Sequence, residues 1–297
     1  MGVRRVVGLG LCVVDHLYVL EGGAFRGARV RYREHRVGSG GMTGNALAQA
    51  AALGCRAQVL SGLGDDPAGR FVRRSLRRLG VDTRRLLLSP ELETTVAVCL
   101  VARRSGERRF LVAERRAMER RSPDFDLSGI APGGVLLLDG HFPAQALRAA
   151  RRARRLGAPV VGDFHRFGPA ARRLLPFVDY PIVPEEFARS HPLGEPRRVL
   201  RWLAERYGGT PVVTLGARGG LYWRAGGPGR FAGRRVKVRD TTGAGDAFHG
   251  AFAAGLVHGL DLEGALALAA RAAALCCTAL GGTGRLLRRD EVRALGC

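Results

Sequence analysis

Short, uninterrupted apolar runs alternate along this chain with longer stretches in which alanine and leucine recur at helical spacing. Val6–Val14, Gln58–Gly62, Gly134–Asp139, Pro159–Asp163, Tyr180–Val183 and Pro211–Leu215 are runs of the kind that form strands buried on both faces. Between them, Asn45–Leu53, Ala68–Leu79, Ala144–Leu156, Pro196–Tyr207, Asp246–Gly259 and Leu262–Leu280 carry the period of helices. This alternation predicts an α/β fold with a mostly parallel sheet covered on both sides. Two segments break the rhythm. Leu17–Val37 contains the charged alternation Arg29-Val30-Arg31-Tyr32-Arg33. Thr94–Ala113 alternates through Val96, Val98 and Leu100, turns at Ser105-Gly106-Glu107 and returns through Phe110 and Val112. Both predict antiparallel strand pieces that pair into a small flap over the C-terminal edge of the sheet, where open α/β sheets bind ligands.

Composition narrows the classes. With 297 residues, 46% of them hydrophobic, the chain has ample apolar surface for one domain spanning residues 1–297. No apolar run reaches the roughly 18 residues of a membrane span. Arg4-Arg5 before Val6–Val14 imitates a signal peptide, but Asp15-His16 end the run and no A-x-A site follows, so the expected location is cytoplasmic. The six cysteines lack C-x-x-C spacing and read as reduced, packed thiols rather than disulfides or zinc ligands. The formal net charge of +22 raises nucleic-acid binding. Yet Phe71, Val72, Ser75, Leu76 and Leu79 share one helical stripe while Arg73, Arg74, Arg77 and Arg78 take the other, and Leu147–Leu156 repeats the pattern. Such arginines are solvated helix backs, so salt-sensitive adsorption is expected and a specific nucleic-acid partner is not. Lys237 is the sole lysine and sits in the strand-like Val236-Lys237-Val238, which excludes a Walker A loop and a protein-kinase V-A-I-K strand.

The richest chemistry lies in Val238–Gly255. It reads as a strand end, the small-residue loop Gly243-Ala244-Gly245, and a helix opening at Asp246. Free amides at a helix start attract an anion, and small residues let a phosphate approach the backbone. A carboxylate beside that anion hole repels a simple anion but can accept a proton from a hydroxyl attacking a phosphate. The plainer alternative is that Asp246 only caps the helix.

Asp240-Thr-Thr-Gly-Ala-Gly-Asp246 resembles the C-terminal signature of the ribokinase (PfkB-type) carbohydrate kinase family. Gly38-Ser-Gly-Gly-Met-Thr-Gly-Asn-Ala-Leu-Ala-Gln-Ala-Ala-Ala-Leu-Gly54 resembles its N-terminal signature, and Ser61–Gly69 is similar to the turn that follows. The resemblance covers essentially the whole chain. It implies a three-layer αβα, ribokinase-like domain with a β-lid at about 17–37 and 94–113, and ATP-dependent phosphorylation of a sugar-type hydroxyl, with Mg2+. By position it makes Asp246 the catalytic base and Gly243, Ala244 and Gly245 the anion hole. Asp15, Gly40, Gly41, Asn45 and His141 become sugar-pocket residues, with Asn45 also readable as a helix cap. Thr214, Gly216 and Gly219 fall under the nucleotide, and Asp240 and Thr242 near a monovalent-cation (K+) site. Lid strands in this family pair between subunits, so a homodimer is the matching expectation.

The chain also departs from the family. Pro184-Glu185-Glu186-Phe187-Ala188 stands where an N-x-x-E segment is expected, which leaves the holding of Mg2+ open. Val13 replaces the Asn of ribose-specific members, and His249 the usual Asn after the base. Three alternatives remain: a nucleoside kinase of the same fold, a catalytically silent nucleic-acid-binding protein, and a Rossmann dehydrogenase. The last rests on Gly8-Leu-Gly10, where Val13 fills the slot of the third glycine.

Overall fold

The computed structural model describes residues 5–21, 30–102, 108–112 and 123–293. The turn expected at Ser105-Gly106-Glu107 and parts of both expected lid segments lie outside them.

The strands are β1 (Arg5–Leu9), β2 (Val13–Leu20), β3 (Tyr32–Gly40), β4 (Arg56–Leu60), β5 (Gly62–Gly64), β6 (Leu87–Ser89), β7 (Val96–Ala102), β8 (Arg108–Val112), β9 (Val135–Leu138), β10 (Val160–Asp163), β11 (Tyr180–Pro184), β12 (Val212–Thr214), β13 (Gly220–Arg224) and β14 (Gly227–Phe231). The helices used below are α1 (Met42–Ala52), α2 (Pro67–Arg78), α3 (Pro143–Arg155), α4 (Pro169–Leu174), α5 (Glu185–Ser190), α6 (Pro196–Tyr207), α7 (Ala244–Val257) and α8 (Leu262–Cys276). The main sheet runs β14-β13-β12-β11-β10-β9-β1-β4; the six strands from β12 to β4 are parallel, and β13 and β14 form an antiparallel edge.

Successive residues of the parallel strands enter different cores. Val6, Leu137, Val161, Ile182 and Val212 pack with α1, α2, α7 and α8 on one face. Val7, Leu138, Val160, Val183 and Val213 pack with α3 to α6 on the other. A strand with both faces covered needs apolar side chains at every position, which is why these segments read as continuous runs. On α2, Val72 and Leu76 are fully buried while Arg74, Arg77 and Arg78 are exposed, as the stripe predicts.

The run Val6–Val14 is not one strand. It breaks after Leu9, where Gly10–Cys12 turn the chain out of the main sheet and into β2 of a second, four-stranded sheet ordered β3-β2-β7-β8. An apolar run carries no mark of a strand changing sheets, because both halves are buried. Asp15 therefore sits within β2 rather than in a loop. Gln58–Gly62 likewise divides into β4 and β5. Val236-Lys237-Val238 is exposed and irregular, with no ladder partner, so the loop before α7 does not follow a strand end. The last long helix stops at Cys276, short of Leu280, and α7 opens at Ala244, two residues before Asp246. Among the described residues no helix is long and apolar enough to cross a membrane. Cys12, Cys55, Cys99 and Cys276 are buried and form no disulfide, and burial pushes the Cys12 thiol up to about 12.

Candidate active site

Because the six strands run the same way, their C-terminal ends bring Leu9, Asp139, Asp163, Pro184 and Thr214 to one edge of the sheet. The second sheet grows from that edge through β2, which carries Asp15 inward. Asp15 is 5% exposed, and its carboxylate has no hydrogen-bond partner among the described residues. It fits because residue 40 is glycine: a Cβ there would lie 1.8 Å from Asp15 Oδ2. Burial, then the charges of Asp246 and Asp240, push Asp15 up to about 7.

The helix carrying Asp246 is capped by Gly243, whose φ of 75° is left-handed and whose missing side chain lets Gly282 approach; a Cβ would lie 2.3 Å from Gly282 Cα. Asp246 lies in the first turn and makes no cap, so the capping alternative fails. The amide of Ala244 donates to Thr241 O at 3.3 Å, so of the three loop positions it is not a free donor. The amides of Gly243, Gly245 and Asp246 have no acceptor among the described residues, as expected for the start of a helix. Gly245 is exposed, and a side chain there would meet open space.

Asn45 reaches Asp246 because α1 and α7 cross at very close range: a Cβ on Gly250 would lie 2.0 Å from Ala46 O. At that crossing Asn45 Nδ2 donates to Asp246 Oδ2 at 2.8 Å. Asn45 is the fourth residue of α1, whose cap is Gly41, so its expected cap role is not observed. Burial, then the neighbouring Asp163, push Asp246 up to about 7 against the opposing Asn45 hydrogen bond and the charges of His249 and Arg108.

Asp139 ties the corner together. Its Oδ2 accepts from Leu11 N at 2.6 Å and Thr43 Oγ1 at 2.8 Å, and its Oδ1 from His141 N at 3.0 Å, with His141 Nδ1 2.9 Å away. Burial would raise Asp139, but the charge of His141 and these hydrogen bonds bring it below its ordinary value. With Nδ1 held, the His141 side chain is 28% exposed. The next residue, Phe142, is buried at φ 53°, the single non-glycine positive φ among the described residues; such strain persists where surrounding packing over-determines the backbone.

Thr214 ends β12 beside Pro184, and Gly216 and Gly219 shape the turn that follows, with Leu215 N donating to Gly219 O at 2.7 Å. A cleft of about 350 Å³ adjoins this turn, lined by Tyr222, Phe231, Gly233 and Ala270 among others. Asp240 is fully buried; Oδ1 accepts from Thr242 N (2.9 Å) and Oγ1 (2.7 Å), and Oδ2 from Gly281 N (2.8 Å). Arg108 of β8 donates to Thr241 Oγ1, linking the second sheet to the loop.

The chain matches the description "pfkB family carbohydrate kinase" over residues 3–287. The protein belongs to the pfkB family of carbohydrate kinases. It is 30% identical over 234 residues to the aminoimidazole riboside kinase of Salmonella typhimurium, covering 71% of each chain. It is 24% identical over 297 residues to the ribokinase of Bacillus subtilis, covering 99% of each. Its fold superposes on Arabidopsis thaliana ribokinase complexed with ribose and ATP with a TM-score of 0.79, at 23% identity and 99% coverage of both chains. The αβα architecture and kinase class read from the two motifs are therefore shown.

Sequence reasoning passed over several residues of this pfkB-family cleft. Asp163 looked like the polar end of a buried strand, as did Asp139. Gly282 carried no signal beyond the Gly281-Gly282-Thr283-Gly284 run, yet it packs against both Gly243 and Asn45. Glu185 and Glu186, left in place of N-x-x-E, are taken up by arginines: Arg218 lies 2.8 Å from Glu185, and Arg166 2.8 Å from Glu186.

Proposed function

We propose that this kinase moves the γ-phosphoryl group of ATP onto a hydroxyl of a sugar or sugar-like acceptor, with Asp246 as general base. The observation that carries this is the pairing, at one helix start, of acceptor-free amides at Gly243, Gly245 and Asp246 with a carboxylate raised to about 7. Asn45 holds Oδ2, which leaves Oδ1 to take the proton of an attacking hydroxyl. The free amides stabilise charge on the transferring group, the largest contribution expected in phosphoryl transfer. Ala244 serves by being small. Asp15, buried and without a partner, binds the acceptor by receiving hydroxyl hydrogen bonds, which removes the cost of leaving that carboxylate unsatisfied. Gly40 and Gly41 make the room, and His141 Nε2 adds a polar contact. Thr214, Gly216 and Gly219 bound the nucleotide, with its base in the adjoining cleft.

A K+ ion beside Asp240 and Thr242 fits a fully buried carboxylate whose hydrogen-bond partners are all neutral. Mg2+ is expected with the ATP phosphates; the Glu185 and Glu186 carboxylates are already neutralised by arginines and suit it poorly. The second sheet acts as the lid. Its edge strands β3 and β8, with Leu111 60% exposed, suit pairing with a second copy.

The test is acceptor-dependent ADP release across pentoses, ketohexoses and nucleosides, repeated with Asp246→Asn. Loss of at least about a thousandfold in kcat with acceptor KM little changed supports the base; near-normal turnover removes it. A nucleoside acceptor is the second reading, favoured by the similarity to a riboside kinase, and the same panel separates the two.

A further inference from the structure

Beneath Asp246 lies a titratable pair that the proposed chemistry does not touch. His249, three residues on along α7, and Asp163, at the end of β10, are each 4% exposed. His249 Nδ1 lies 2.7 Å from Gly245 O and 3.3 Å from Asp163 Oδ2, and Nε2 lies 3.0 Å from Ile182 O. Asp163 Oδ2 has no hydrogen bond of its own. Both ring nitrogens therefore face oxygen. A neutral imidazole has a single N–H, so one nitrogen lone pair would abut a carbonyl oxygen. An imidazolium donates on both sides, and Asp163 is the counter-ion that makes a buried charge tolerable. Burial pushes Asp163 well above the carboxylate range and His249 below the imidazole range, so neither holds charge alone.

The Gly245 carbonyl belongs to the same peptide group as the Asp246 amide, one of the acceptor-free donors. A proton from His249 on that carbonyl fixes the peptide plane and strengthens the amide as a donor. We infer that His249 and Asp163 form a buried, net-neutral pair that positions the Gly245–Asp246 peptide and shields Asp246 from the Asp163 charge. This inference rests on the kinase reading for its kinetic consequence alone. The other groups facing the pair and Asp246 are Asn45 from α1, Asp15 from β2, Arg108 from β8, Asp139 and His141 after β9, and Cys276 from α8.

The pair is tested with His249→Leu, Asp163→Asn and the double variant, reading kcat/KM against pH. Loss of His249 raises the proton affinity of Asp246, so the acid limb moves up: about tenfold less activity near roughly pH 6, against a smaller, pH-independent loss near roughly pH 8.5. In Asp163→Asn the ring loses its charge together with the carboxylate, so the limb stays near its wild-type position while kcat falls. The double variant returns the limb towards wild type without restoring kcat, because the peptide anchor is still missing. His249→Gln, which keeps one donor, recovers part of kcat. Side-chain 15N spectra of histidine-labelled protein, assigned by difference from the His249→Gln variant, give a readout independent of turnover. Both His249 nitrogens are protonated at neutral pH in wild type, and this is lost in Asp163→Asn. A neutral His249 ring in wild type, or an equal loss of rate at every pH in both His249 variants, overturns the inference. If no acceptor is turned over at all, the kinase reading fails while the spectra still decide the pair.

Discussion

The cleft at the sheet edge and the outer faces of the helices are opposites in charge. Asp15, Asp139, Asp163 and Asp240 are each no more than 5% exposed, and Asp246 joins them at the helix start. Around them, a chain with a formal net charge of +22 spreads arginines such as Arg74 and Arg77 on exposed helix backs. Surface pairs such as Arg70–Asp65 and Arg201–Glu205 are more than 40% exposed on both sides, where an ion pair contributes at most about 1 kcal/mol. The same charge type does little outside and much inside, because removal of water decides what a carboxylate costs and which proton it will take. Net charge therefore describes the surface of this protein and is silent about its site.

The sharpest way to break the contrast is to disturb the cleft by one carbon. Gly40→Ala pushes a methyl into the Asp15 carboxylate and should lower kcat/KM for the acceptor by about a hundredfold or more, with the melting curve still cooperative. The second effect is in pH. If Asp246 acts as the proposed base, with its carboxyl pushed up to about 7, kcat/KM should fall about tenfold per unit below that value and level off above it; a flat profile from roughly pH 5 to 8 would remove that role.

Third, Asp15→Asn should raise acceptor KM and also stabilise the protein. Asp15 holds its proton more tightly folded than unfolded, so its contribution is complete at acid pH and is lost as pH rises from about 4 through about 7. The variant should therefore melt a few degrees higher than wild type at roughly pH 8 and no higher at roughly pH 4, read by thermal shift. The smallest effect is expected outside. Arg74→Gln with Arg77→Gln should leave kcat/KM within about twofold while weakening retention on heparin at low salt, a retention that moderate salt abolishes for wild type as well.

The parallel sheet was legible because doubly buried strands must be apolar throughout, and α2 and α3 because their arginines leave a clean apolar stripe. The Asp246 loop was legible because free amides beside a carboxylate have a chemistry that capping does not explain, and the family signatures then placed Asp15, Asn45 and the glycines. The break after Leu9 was not legible, nor was the short antiparallel edge of β13 and β14, whose glycine- and arginine-bearing residues lack a strand period. Asp163 and His249 were invisible as a pair, since 86 residues separate them and neither sits in a recognisable spacing.

From residues alone came the alternation of strands and helices, the helix start that gathers unpaired amides, and the class of chemistry, because period and local backbone chemistry are properties of neighbours along the chain. Only the folded molecule decided that Asn45 meets Asp246 across a helix crossing permitted by Gly250, that Asp15 lies bare against Gly40, and that Asp163 is buried against His249. Those facts depend on which distant segments exclude water together, and the proton affinities of the site follow from that exclusion.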